Sequence, residues 1–119
     1  MFGSFFDPQT HITPHFKHSE FECPCCKTRG IDESIAWVLE LLRCIANQPI
    51  IVLSGYRCYQ HNKEVGGTER SKHLEGKAVD FTCKDLDHLA ILLRNWSGGF
   101  KYYRDRNFIH IDLGPYRRW

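Results

Sequence analysis

Two alternating stretches constrain the fold of this chain most: Lys77-Ala78-Val79-Asp80-Phe81-Thr82 and Asn107-Phe108-Ile109-His110-Ile111-Asp112-Leu113. Successive side chains of a strand point to opposite faces. Val79 and Phe81 therefore take one face, and Ala78 and Asp80 the other. In the second stretch Ile109, Ile111 and Leu113 turn toward a core, while Phe108, His110 and Asp112 share the opposite face. Such a sheet needs cover on its apolar side and carries ionisable groups on its polar side. If the two strands are neighbours, Asp80 and His110 meet.

The rest of the chain supplies the cover. Asp32 can cap a helix running to about Asn47, with Ile35, Val38, Leu39, Leu42 and Ile45 at helical spacing. Pro49 to Leu53 reads as a wholly apolar buried strand. Ser54-Gly55-Tyr56-Arg57 turns off its end, and a short helix from about Gln60 to Val65 stops at Gly66-Gly67. Thr68 to Glu75 is a polar loop. A second amphipathic helix spans roughly Leu86 to Trp96 and ends at Gly98-Gly99, followed by strands near Phe100–Tyr103 and Asn107–Leu113. This order predicts an α+β domain with a small, mostly antiparallel sheet flanked by helices. Residues 1–15, with Pro8, Pro14 and no periodicity, read as an extended arm across the body, and 16–119 as the domain itself.

Composition removes some function classes. Lys plus Arg number 16 against 14 Asp plus Glu, a net charge of only +2, which is not the basic stripe of a nucleic-acid binder. No apolar run approaches the ~18 residues of a membrane span. The opening Met1-Phe2-Gly3-Ser4-Phe5-Phe6-Asp7-Pro8 lacks the basic and continuous apolar regions of a signal peptide, so the expected product is made in the cytoplasm. Its six cysteines are then expected to be mostly reduced thiols. Cys23-x-x-Cys26 could hold a second, structural zinc with Cys58, Cys83 or a histidine. The remaining spacing matches no zinc finger, so reduced thiols are the preferred reading. Cys44 reads as a small core residue.

The chemistry gathers at His73, seven positions before Asp80, and at His110. Gly76 permits a tight approach to the strand, and the small Ala78 leaves room beside Asp80. Two imidazoles and a carboxylate make a three-ligand set for zinc that leaves the fourth position for water. The pattern alone leaves three unrelated polar residues as the competing reading.

Ser71-x-His73-x-x-Gly76-x-Ala78-x-Asp80, followed by Phe108-Ile109-His110-Ile111-Asp112, resembles the zinc D-Ala-D-Ala carboxypeptidase family. That family includes phage endolysins and shares its fold with the Hedgehog signalling domain. Phe16-Lys17-His18-Ser19-Glu20-Phe21-x-Cys23 is similar to the opening segment of its small phage-type and bacterial members. Ser54-Gly55-Tyr56-Arg57-Cys58 through Asn62-x-x-Val65-Gly66-Gly67 is similar to their arginine turn, and Gly114-Pro115-x-Arg117-x-Trp119 to their ending. Residues 16–119 are covered in order.

The resemblance implies a Hedgehog/DD-peptidase-like fold and one catalytic zinc bound by His73, Asp80 and His110. It implies hydrolysis of peptidoglycan peptides by a monomer, with no nucleic-acid or membrane partner. Arg57 would steady the substrate or the developing oxyanion, and Ser71 would shape the loop or bind substrate. Many members carry an acid three residues before the last histidine, where this chain has Asn107, and an amide cannot accept a proton from water. Asp112, about 7 Å along the same strand face, is the expected catalytic base; holding His110 in place is its competing role. Asp105 and Glu75 are lesser candidates. The substitution at Asn107 also admits a metal-containing wall-binding module with weak turnover. Phage-type release or a place in the virion would bring the protein to the wall.

Overall fold

A computed structural model of the chain describes residues 7–119. Seven strands and three α-helices follow the order β1 (His11–Thr13), β2 (Phe16–Lys17), α1 (Glu33–Ala46), β3 (Ile50–Ser54), α2 (Tyr59–Glu64), β4 (Ala78–Cys83), α3 (Leu86–Leu92), β5 (Gly99–Tyr103), β6 (Phe108–Asp112) and β7 (Arg117–Arg118). The main sheet runs β3-β4-β6-β5-β7, antiparallel except where β7 joins β5 in parallel. The α+β architecture expected from the sequence is the one observed. The extended arm expected over residues 1–15 falls partly on residues 1–6, outside the described residues; within the rest of it, β1 pairs with β2, and Ile12 is buried in the core.

The two alternating stretches behave as their patterns require. Val79, Phe81, Ile109 and Ile111 are fully buried and pack under Ile35, Leu39 and Leu42 of α1 and Leu86 and Leu89 of α3. Asp80 lies opposite His110 across the β4–β6 pair, and Ala78 opposite Asp112. Cutting Phe81 back to Ala would remove one of the largest buried side chains, a change that costs about 3–5 kcal/mol in a packed core.

Helix α1 starts as predicted, with Asp32 accepting from the Ser34 N–H at 2.9 Å and Asn47 closing the far end in the left-handed region at φ 52°. Of its expected face, Ile35, Leu39 and Leu42 lie in the core and Val38 packs against it; the departures are at Ile45 and Glu40. Ile45 is 55% exposed, whereas Glu40 is buried. The periodicity placed Ile45 inward because it could not see His15, whose backbone N–H and ring both bind the Glu40 carboxylate and draw that side of the helix in. Helix α3 is shorter than expected and stops at Leu92. Beyond it the chain tightens into turns that bring the Trp96 indole N–H to the Asp112 carbonyl at 2.9 Å.

Candidate metal centre

A 3-10 turn at Lys72–Glu75 sets His73 on the polar face of the sheet. Ser71 starts this turn, its hydroxyl oxygen accepting from the His73 N–H at 3.2 Å. Gly76 ends it at φ 70°, and a Cβ there would lie 1.8 Å from the Gly30 carbonyl oxygen, so the approach to β4 requires glycine.

His73, Asp80 and His110, named from the sequence, come together: one donor atom from each lies within 4.8 Å of the others. All three residues are at least nine-tenths buried. His73 Nδ1 sits 2.7 Å from the Gly55 carbonyl oxygen and must donate to it, which leaves a lone pair on Nε2, 3.3 Å from Asp80 Oδ2. His110 Nε2 sits 2.8 Å from Asp112 Oδ2, and its Nδ1 lies 2.8 Å from Asp80 Oδ1. Each imidazole is thus held from behind by an oxygen and turns its other nitrogen to the same point, the arrangement that orients metal-binding histidines. Zinc bonds to nitrogen and oxygen of ~2.0–2.2 Å would hold such donors about 3.3–3.5 Å apart. The donor set fits a single divalent cation.

The electrostatics agree. Burial works against the ionised Asp80 carboxylate, yet hydrogen bonds and charge from His110 and His73 hold it well below the usual carboxylate range. Burial would also discharge His110, but the Asp112 and Asp80 carboxylates on its two nitrogens raise it above the ordinary histidine value. Asp112 is lowered, because bonds from His110 and from the Gly114 and Gly99 amides outweigh its burial. Two carboxylates converging on one imidazole create a site that attracts positive charge.

Arg57 reaches the same point. Its guanidinium touches Ser54 Oγ at 3.1 Å, Asn62 Oδ1 at 3.3 Å and Asp80 Oδ2 at 3.4 Å. Burial lowers its pKa, and the charge of Asp80 works in the other direction. Asn62 had no assigned role in the sequence; it is buried, and its amide also donates to the Thr68 carbonyl at 2.8 Å. The signal was its place in the arginine-turn motif.

Asp112 faces away from this cluster's open side. It is 2% exposed. Oδ2 is on His110, and Oδ1 accepts from the Gly99 and Gly114 amides, both at 3.0 Å. A Cβ on Gly99 would lie 2.3 Å from Asp112 Oδ2, so glycine there is what lets the backbone close over the carboxylate. Asn107 occupies a left-handed turn position at φ 60°, Asp105 is exposed on the same turn, and Glu75 is paired with Lys72.

The cluster opens into a cleft of about 390 Å³. Its lining includes Arg57, Arg70, Lys72, Arg106 and Arg117, and among the described residues Asp80 is its one acidic side chain. Trp119 sets its ring edge-on to His110, 5.4 Å between centroids, and Arg117 stacks over the indole at 3.9 Å. Arg117 and Trp119 thus line one side of the cleft.

Fold and donor set together describe a metallopeptidase-type centre, and comparison with known proteins gives the same class. The Peptidase M15 family model matches residues 14–112, and the chain belongs to that family of peptidases, whose members are typically zinc-dependent. The chain is 35% identical over 132 residues to the peptidoglycan L,D-endopeptidase MepK of Escherichia coli K12, covering 98% of this chain and 71% of the relative. It is 36% identical over 85 residues to the probable peptidoglycan L,D-endopeptidase MepK of Haemophilus influenzae, covering 63% of this chain and 45% of the relative.

Proposed function

We propose that the cleft hydrolyses an L,D-peptide bond of bacterial peptidoglycan, using one zinc ion held by His73, Asp80 and His110. The observation that carries this reading is the convergence of those three donors at the base of a cation-lined cleft. When bound, zinc would polarise the scissile carbonyl and make water a competent nucleophile near neutral pH. The Gly55 carbonyl fixes the His73 tautomer. Arg57, already braced by Ser54 and Asn62, offers fixed positive charge to a carbonyl oxygen as it becomes anionic, which stabilises the transition state more than the ground state. Of the two roles open to Asp112, the geometry favours positioning: its carboxylate is held by His110 and two backbone amides, with the Arg117 guanidinium at 3.6 Å, and Asp112 is not among the residues that line the cleft. Ser71 shapes the loop that carries His73. The surplus of basic side chains suits wall peptides, which carry free carboxylates.

The relatives' names favour an endopeptidase over the carboxypeptidase alternative, and they lend no support to phage-type release or virion carriage. Digestion of purified peptidoglycan by zinc-loaded protein should release peptides whose masses identify an L,D-cleavage, and a chelator should stop the release until zinc is restored. Chelator-insensitive release would overturn the zinc assignment. A second reading, a wall-binding module of the same fold, is favoured by Asn107 at the family's usual acid position and by Asp80 being the one acidic side chain that lines the cleft among the described residues. It predicts zinc-loaded protein that sediments with peptidoglycan and releases nothing.

A further inference from the structure

We propose that Cys23, Cys25, Cys26 and Cys58 form a second, structural zinc site, a tetrathiolate clamp separate from the cleft. The sequence suggested a metal only as the lesser possibility for Cys23 and Cys26, and the fold adds what was lacking. One sulfur from each of the four lies within 4.8 Å of the others. Cys25 Sγ is 3.2 Å from Cys58 Sγ and 3.5 Å from Cys23 Sγ. Four sulfurs bound to zinc at ~2.3 Å stand about 3.8 Å apart at the corners of a tetrahedron, so small adjustments complete the site.

Two further observations point to bound thiolates. Backbone amides aim at the sulfurs: Cys58 N–H at Cys23 Sγ and His61 N–H at Cys58 Sγ, both at 3.4 Å. Such donors stabilise the negative charge that four thiolates retain around a divalent ion. The loop is also bent tightly for a segment with few apolar side chains. Lys27 N–H bonds back to the Cys23 carbonyl at 2.7 Å, Cys23 N–H bonds to the Thr28 carbonyl at 3.0 Å, and Lys27 adopts φ 60°. A non-glycine residue in the left-handed region is held there by its surroundings. Cys25 and Cys26 are exposed, so burial of these two side chains is not what holds it.

The clamp has a mechanical consequence. It ties the loop after Phe21 to Cys58, the residue next to Arg57. The same two segments are joined by a bond from the Tyr56 N–H to the Phe21 carbonyl at 2.8 Å. Zinc here would fix the turn that presents the guanidinium to Asp80. On binding, each thiol gives up its proton to solvent, so metal uptake acidifies the medium and weakens as pH falls.

Metal analysis of the full chain, purified under reductant with zinc supplied, should give two zinc ions per chain. His73→Ala should lower this to one, and the double variant Cys25→Ser/Cys58→Ser should lower it to one by removing the other ion. Cobalt substituted for zinc should show the intense sulfur-to-cobalt charge-transfer absorption in wild type and in His73→Ala, with loss of that band in the double variant. If the double variant does not fold, alkylation of wild type decides: Cys25 and Cys26 should be spared with zinc present and modified after chelation. A single zinc that His73→Ala removes, no charge-transfer band, or a Cys25–Cys58 disulfide in protein kept with zinc would each overturn the clamp. None of these outcomes depends on peptidoglycan hydrolysis, so the clamp and the proposed activity stand or fall separately.

Discussion

The two proposed zinc sites flank the dipeptide Arg57-Cys58, and they are built in opposite ways. His110 and Asp80 stand on adjacent strands at paired positions, where a ladder fixes their separation and the core behind them fixes the sheet. The cysteines stand on a turn and at the start of a six-residue helix, where no ladder sets distances and a bound ion would have to. Precision on the catalytic side comes from backbone register, whereas on the cysteine side it would come from the ligand. Arg57 lies between them: its side chain is placed by Asp80 and Asn62, its backbone N–H bonds to the His73 carbonyl at 3.1 Å, and the next N–H, that of Cys58, is directed at Cys23 Sγ at 3.4 Å.

Arg57→Ala should break this comparison most severely. Loss of a preorganised charge aimed at a developing oxyanion costs about 10²–10³ in kcat, and KM should move far less. Steady-state kinetics on a defined wall peptide would read the split. A variant that raises KM and spares kcat would make Arg57 a docking residue, and its rigid bracing would then need another explanation. Arg57→Lys should recover only part of the loss, because an ammonium cannot hold Ser54, Asn62 and Asp80 with one planar fork.

Asp112→Asn sharpens the same contrast on the strand side. If Asp112 orients His110, metal affinity should fall about 10–100-fold, and enzyme saturated with zinc should retain most of its turnover. Competition with a chelating dye would measure the affinity. Unchanged affinity with abolished turnover would restore Asp112 as the base expected from the sequence.

The uneven legibility of the chain has the same root. Period-two alternation exposed β4 and β6 and, through them, Asp80 and His110, since a strand's faces follow from its sequence alone. His73 was legible through its motif and the glycine that the turn demands. The choice between the two roles of Asp112 was not, because the Gly99 and Gly114 amides that bond to it arrive from β5 and from the segment after β6. The cysteine cluster was legible only in part for the same reason: the sequence offered Cys23 and Cys26 with Cys58, Cys83 or a histidine, but Cys58 lies 33 positions beyond Cys25, and loop spacing carries no periodicity that would choose among them. The outward turn of Ile45 at the end of α1 is a third case, since the hydrophobic pattern carries no sign of the contact that buries Glu40 against His15.

That contact yields the smallest effect, and it tests whether stability and site can be separated. Burial alone would push the Glu40 carboxyl up, but the hydrogen bonds from His15 more than offset it and leave its pKa below the usual 4.5. A carboxylate lowered in the folded state contributes stability that is fully present above its unfolded value and is lost as pH falls through the folded one. Glu40→Gln should therefore cost about 1 kcal/mol at neutral pH. The difference from wild type should shrink in acid, once Glu40 itself is protonated. Thermal melts across that range would show the two curves converging. Glu40 lies on α1, remote from the residues that line the cleft, so kcat per folded molecule should not change. A loss of turnover in Glu40→Gln would mean that α1 sets the geometry of β4 and β6 through the core, and that the strand-built centre owes its precision to packing as well as to register.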